Sequence, residues 1–90
     1  FEKLANKLHI EHVRETRNSI EITFPKEVVE KLDTEEIFMD AFYFTTMFRF
    51  VSRGSNLIII LDTIKLEKHP IYYLVSLLDK IYSRYKNSID

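Results

Sequence analysis

The chain has 90 residues, which is enough for one small domain with a single hydrophobic core. Its 13 basic and 14 acidic side chains leave a net charge of −1, which argues against a module that binds nucleic acid by neutralising phosphates. It contains no cysteine, so disulfides, thiol chemistry and cysteine-based zinc sites are excluded, and a cytoplasmic location is expected. No apolar run approaches the roughly 20 residues that span a bilayer, so no membrane contact is expected.

The chain opens with a pattern typical of an amphipathic helix, because its apolar residues are three or four positions apart. These residues are Phe1, Leu4, Ala5 and Leu8. No capping signal precedes them, so we expect the helix to begin upstream of residue 1. A hairpin follows, with a polar strand in residues 10–17, turn chemistry at Asn18 and Ser19, and an alternating strand in residues 20–24 that Pro25 ends.

Two short helices are predicted next. Residues 26–32 form the first, and Asp33 caps the second, with Glu36 three positions later as in a capping box. The buried stripe of the second helix is expected to consist of Ile37, Phe38, Ala41 and Phe42. We place its end near Tyr43, although residues 42–50 suit either a helix or a strand because they are aromatic and β-branched.

A second hairpin is predicted around residues 52–56, which contain the only glycine, Gly54. Its second strand, residues 57–61, is a continuous apolar run, typical of a central strand covered on both faces. Pro70 then begins a helix of about 17 residues with one continuous apolar face. That face comprises Ile71, Leu74, Val75, Leu78, Ile81, Tyr82 and Tyr85.

The predicted order is therefore helix, two strands, two short helices, two strands and a long helix (α-β-β-α-α-β-β-α). No linker or repeat divides the chain, so residues 1–90 are expected to form one domain. The sequence predicts an α+β fold, a small antiparallel sheet of two hairpins with helices packed on it.

No motif of nucleotide or metal chemistry is complete. The strand ending in Asp62 resembles the end of a nucleotide-binding strand, but one glycine cannot build the accompanying phosphate loop. The three histidines, His9, His12 and His69, lack the spacing of a zinc site. We therefore expect no cofactor and no metal.

Acidic residues do cluster near the start of the second short helix. Glu35 could be paired with Glu36 or with Asp40 as a general acid and base. Acids are common at this place in a helix because they interact favourably with its dipole, and the sequence indicates no pocket that would raise the pKa of either partner. No catalytic residue is expected in the chain.

An aromatic cluster occupies the middle of the sequence. It comprises Phe38, Phe42, Tyr43, Phe44, Phe48 and Phe50. Core packing is the favoured interpretation, a protein interface is the second, and base stacking is the third because only Arg49 and Arg53 lie close by.

The first third of the chain resembles the C-terminal domain of bacterial transcription-repair coupling factors. In that family a helix end of the type LA-X-K-L-G-I leads into a polar strand and then an apolar-alternating strand ending in proline. The matching residues here are Leu4, Ala5, Lys7, Leu8, Ile10, Val13, Ile20, Ile22, Phe24 and Pro25. The later order of elements also fits, and the chain would cover the second half of the family's domain. One departure is His9, which stands where the family usually has glycine, a residue that suits a left-handed helix end.

This resemblance implies that the chain is a regulatory part of a larger protein. The parent would be an ATP-driven DNA translocase that displaces stalled RNA polymerase and recruits an excision-repair damage-recognition protein, with its motor motifs in other domains. The C-terminal domain of the family docks on the region of the parent that binds the repair protein and restrains it. The implied partners of residues 1–90 are therefore other domains of the same chain.

From exposure on the predicted helices, we expect the docking surface to use charged side chains. The candidates are Lys26, Glu30, Lys31, Glu35, Glu36, Lys80 and Arg84. The alternative function is a standalone protein-interaction or dimerisation module that uses the aromatic cluster or the closing helix. An enzyme or a nucleotide-binding domain is the least favoured reading.

Overall fold

The structure, a computed structural model, describes residues 1–89. It contains four helices and four strands in the predicted order, so the expected α+β fold is confirmed. The elements are α1 (Glu2–Lys7), β1 (His12–Glu15), β2 (Ser19–Phe24), α2 (Lys26–Val29), α3 (Thr34–Phe44), β3 (Phe48–Arg53), β4 (Asn56–Asp62) and α4 (Pro70–Ile89). The ambiguous stretch 42–50 divides between the end of α3 and the start of β3, and α3 ends one residue beyond the predicted Tyr43.

The four strands form one antiparallel sheet in the order β1-β2-β4-β3. Each predicted hairpin forms, and the two are joined through β2 and β4, where Ile22 lies opposite Ile59. The second hairpin turns through Gly54, whose φ of 63° is in the left-handed region that glycine adopts without strain. The apolar run 57–61 is a central strand, as predicted.

All four helices contribute to a core on one face of this sheet. The sheet side chains in that core alternate along each strand, and in β4 they are Leu57, Ile59 and Leu61. Ile58 points to the opposite face and lies outside the core, although it is only 7% exposed. The prediction of a central strand covered on both faces is therefore confirmed only in part: Ile58 is buried between its strand neighbours Thr23 and Val51, without a helical layer over it, and Ile60 is half-buried.

Helix α4 spans 20 residues, three more than the predicted length of about 17, and packs against α1 and α3. It has two neighbouring helices, so its buried face is broader than the predicted stripe and includes Tyr73 and Leu77. Leu74, Leu78 and Ile81 are buried as predicted, whereas Ile71, at the first turn, is 43% exposed. The remaining stripe residues, Val75, Tyr82 and Tyr85, are half-buried.

Helix α1 ends in a left-handed residue that is not glycine. His9 has a φ of 55°. Its N–H donates to the Asn6 carbonyl at 3.1 Å, and the Ile10 N–H donates to the Ala5 carbonyl at 3.0 Å. These two bonds are the Schellman arrangement, in which glycine normally occupies the position of His9.

Replacing His9 with glycine should therefore stabilise the domain. Relief of the left-handed strain of a residue with a Cβ atom should raise the free energy of unfolding by about 1 kcal/mol. Urea denaturation of the wild type and H9G measures the difference. H9A is the matched control, because alanine keeps the Cβ atom and should show no gain; equal stabilisation by H9A and H9G would show that the imidazole, not the backbone, is the source.

Candidate functional site: the outer face of α3

Helix α3 begins at a side-chain cap. The Asp33 carboxylate accepts a hydrogen bond from the Glu35 backbone N–H at 3.0 Å, which satisfies one of the free donors at the helix start. The other half of the predicted capping box does not form, because the Glu36 carboxylate binds Arg84 instead of turning back to the cap. The cap sets where α3 starts and thus which side chains face the core.

Only a narrow stripe of α3 is buried. Ile37 and Ala41, one turn apart, are each 1% exposed. Phe38 and Phe42, predicted to share this stripe, are 48% and 58% exposed, so that part of the prediction was wrong. Each lies one position, or about 100° of helix rotation, beyond the buried pair, and α3 packs beside the edge strand β3, where the core does not reach around it.

The exposed side of α3 is consequently an apolar surface. We call it the α3 aromatic face; it consists of Phe38, Met39, Phe42 and Tyr43, all exposed. Of the other residues in the predicted aromatic cluster, Phe48 is buried in the core, and Phe44 and Phe50 are half-buried against it. Core packing, the favoured interpretation of the cluster, therefore holds for only part of it.

Two shallow grooves flank this face. The first has a volume of about 430 Å³ and is lined by Thr34, Glu35, Phe38, Met39 and Phe50. Phe38 and Phe50 meet edge to face in it, with ring centroids 5.5 Å apart. The second groove, of about 420 Å³, lies between α3 and α4 and is lined by Met39, Asp40, Tyr43, Phe44 and Lys80.

An arginine from α4 holds α3 in place. The Arg84 Nε donates to Asp40 Oδ2 at 2.6 Å and its Nη2 donates to Asp40 Oδ1 at 3.1 Å, while Nη1 donates to Glu36 Oε2 at 2.6 Å. The hydrogen bond to Asp40 raises the pKa of Arg84, and the Asp40 and Glu36 charges act in the same direction. The forked geometry fixes the rotation of α3 and so fixes which side chains form the α3 aromatic face.

We call the hydrogen bonds of Arg84 to Asp40 and Glu36 the Arg84 clamp. Breaking this clamp should destabilise the domain. R84Q leaves the Asp40 side chain, only 12% exposed, without its counter-ion, and we expect the free energy of unfolding to fall by about 2 kcal/mol. The loss is smaller than for a fully buried pair because water reaches Arg84. Because the pKa of Arg84 is raised, its positive charge persists throughout the neutral range, and the stabilisation that depends on this charge is lost as the pH rises past that pKa in strong alkali.

Urea denaturation measures the cost of R84Q. R84K is the matched control, because its single ammonium group cannot bind Asp40 and Glu36 in the same fork, so it should recover only part of the loss. A loss below about 0.5 kcal/mol for R84Q would mean that the clamp contributes little to stability.

The seven predicted interaction residues lie in two groups. Four of them lie on α3 and α4. Glu35 and Lys80 line the two grooves beside the α3 aromatic face, and Glu36 and Arg84 bind each other across the two helices. Lys26, Glu30 and Lys31 lie on α2 and its exit, where Lys26 and Glu30 form an exposed ion pair 3.7 Å long. Their role in docking stays a prediction, but Glu36 and Arg84 already bind each other within the domain.

Sequence reasoning missed the exposure of the α3 aromatic face. A signal was present, because apolar residues extend around most of this helix, except on the side of Glu36 and Asp40, whereas a helix on one side of a sheet buries a single stripe. The surplus side chains had to be exposed.

Other candidate chemistry does not assemble. Within residues 1–89 no group of three side chains of the metal-ligating types lies close enough to hold an ion, and His9, His12 and His69 are all exposed. The carboxylates of Glu36 and Asp40 are both engaged by Arg84. In the same part of the chain, no helix combines the length and apolar character needed to cross a bilayer.

Comparison with known proteins returned no relative: no protein-family model, no curated protein and no solved structure matches the chain.

Proposed function

We propose that the chain is a non-catalytic regulatory domain of an ATP-dependent DNA translocase that couples transcription to nucleotide-excision repair. In this proposal the domain docks on another domain of its own parent chain through the α3 aromatic face. Docking covers the surface that binds the excision-repair damage-recognition protein, and engagement of RNA polymerase releases it. A tethered domain needs only a modest docking energy, because its effective concentration is in the millimolar range for a short linker.

The observation that carries the docking role is the α3 aromatic face itself. Phe38, Met39, Phe42 and Tyr43 are 48%, 67%, 58% and 85% exposed, and all four lie on the same side of one helix, α3. Contiguous exposed apolar side chains of this kind mark binding surfaces, and aromatic residues are the type most enriched at their energetic centres. Arg84 fixes the orientation of α3 through Asp40 and Glu36, so the direction in which this surface points is set before a partner arrives.

The assignment to a coupling factor is supported by the resemblance of residues 4–25 and by the backbone at His9. The family's glycine position is the position at which this chain adopts a left-handed φ of 55°. A helix end that requires this conformation is expected at the same place in a related fold, even where the glycine has been replaced. The order of elements after residue 25 is also consistent with the family.

Removing the domain from its parent tests this function. The parent chain and a version lacking residues 1–90 are compared for binding to the damage-recognition protein. Release of a regulatory domain should tighten that binding by a factor within about 5–150, the usual range of coupling between two sites. Unchanged affinity, with the truncated parent still folded by thermal denaturation, would overturn the proposed function.

A standalone dimerisation module is the second candidate, because the same exposed aromatic side chains could pack against a second copy. Light scattering on the isolated chain separates the two. A dimer that persists on dilution favours self-association, whereas a monomer favours docking on the parent.

A further inference from the structure

The open edge of β3 presents unpaired backbone groups. β3 is the last strand in the order β1-β2-β4-β3, so only one of its sides is hydrogen-bonded within the sheet. The Asp62 N–H donates to the Met47 carbonyl at 3.0 Å, which identifies that pair as a hydrogen-bonded one. Backbone groups alternate along an antiparallel ladder, so every second residue of β3 directs its N–H and C=O to the open edge. These residues are Phe48, Phe50 and Ser52.

The opposite edge of the sheet is less suited to pairing. β1 has only four residues, all exposed, and three of them are His12, Arg14 and Glu15. Short, charged strands are a common means of protecting an edge from a further strand. β3 has six residues, including two phenylalanines, and is therefore the edge open to strand addition.

On the core side of the sheet, an added strand would enter the first groove. Phe50 projects to this side, and Phe38 and Met39 of α3 line the groove beside it. Alternate side chains of the added strand would cover these residues and extend the core layer. They should be apolar, because Glu35 is the one charged residue lining this groove and would repel a carboxylate.

On the other side of the sheet, the added strand would meet arginines. Arg49 and Arg53 project there, because residues four positions apart on a strand share the same face. Arg49 is bound to Asp62 by two hydrogen bonds of 3.1 and 3.2 Å, whereas Arg53 is exposed and forms no ion pair within residues 1–89. Side chains opposite this row are favoured when they are acidic.

The same arginines disfavour a second copy of β3 as the occupant. In the antiparallel register that pairs residues 49–53 with themselves, Arg49 of each copy would lie directly opposite Arg53 of the other. Like charges placed in this way destabilise a strand pair. The charge pattern therefore selects a different, acidic sequence.

We propose that β3 binds an extended peptide segment in which apolar and acidic residues alternate, by addition of a fifth strand to the sheet. The segment belongs to the domain of the parent chain on which this one docks, so the inference rests on the proposed function and specifies its binding mode. Backbone hydrogen bonds provide affinity, and the α3 groove and Arg53 provide selectivity.

The probe is a synthetic peptide of about eight residues in which valine and glutamate alternate. Backbone NMR of the chain should show shifts and slowed hydrogen exchange at the outward-facing Phe50 and Ser52 amides. N-methylation of one alternate set of peptide residues should abolish binding, and methylation of the other set should be tolerated, because only one set faces β3. Equal effects of the two methylation patterns, or no binding, would overturn strand addition.

Charge selectivity is tested by replacing the glutamates of the peptide with lysines. A valine–lysine peptide should bind at least about 10-fold more weakly than the valine–glutamate peptide, and R53E should reverse that preference. A preference that R53E leaves unchanged would remove Arg53 from the site and overturn the proposed selectivity.

A variant in the parent separates this inference from the proposed function. S52P removes an outward backbone donor without removing a ladder hydrogen bond to β4, and it should release the repair-protein surface, while S52A keeps that donor and should not. Release by loss of residues 1–90 but not by S52P, with S52P folded by its NMR spectrum, would leave the proposed function standing and overturn strand addition.

Discussion

Ile81→Ala should be among the most destabilising single substitutions in this domain. Ile81 is 0% exposed and lies in the centre of the core, beside Phe24, Ile37 and Ile59. Truncation leaves a cavity between α4, α3 and the sheet, and we expect a loss of about 3 kcal/mol. A domain of this size has a total stability of about 5–13 kcal/mol, so its melting temperature should fall by roughly 10–25 °C in a calorimetric scan.

Two variants on the same helix make this test specific. I81V removes a single methyl group and should cost about 1 kcal/mol. S83A, at an exposed position two residues away, should change stability by less than about 0.5 kcal/mol. Equal losses in I81A and S83A would indicate an effect on helix α4 itself and not on core packing.

The fold could be predicted because its signals are local and agree with one another. Five local signals each mark a boundary that the structure has within a few residues. They are the alternation in residues 20–24, Pro25, the Asp33 cap, Gly54 and Pro70. The pairing of β2 with β4 could not be predicted in this way. It joins residues about 40 positions apart, and no local pattern encodes which strands of two hairpins become neighbours.

The surface of α3 was predicted less well for a related reason. Periodicity indicates that a helix has an apolar side, but it does not indicate how far the core extends around the helix. Phe38 and Phe42 satisfy the spacing of a buried stripe as well as Ile37 and Ala41 do. Contacts between helices decide which of the two pairs is buried. Arg84 of α4 binds Asp40 and Glu36, and this holds the side of α3 that carries Ile37 and Ala41 towards the core.

The exposure of these aromatic residues leads to a second large effect, on docking. F42S/Y43S should reduce the affinity of the isolated chain for the rest of its parent by a factor of at least about 30, equivalent to about 2 kcal/mol. The reason is that Phe42 and Tyr43 are 58% and 85% exposed and supply much of the apolar area that a partner would cover. Titration calorimetry with the truncated parent measures the change.

The same double variant should leave the domain folded. Serine has a helix propensity close to those of phenylalanine and tyrosine, and neither side chain belongs to the core, so the expected change in the free energy of unfolding is within about 1 kcal/mol. V13S is the matched control: Val13 is 42% exposed and lies on β1, at the edge of the sheet farthest from β3. Because V13S removes exposed apolar area without touching α3 or β3, equal losses of affinity in V13S and F42S/Y43S would point to general surface hydrophobicity, whereas a loss confined to F42S/Y43S would locate docking on the α3 aromatic face.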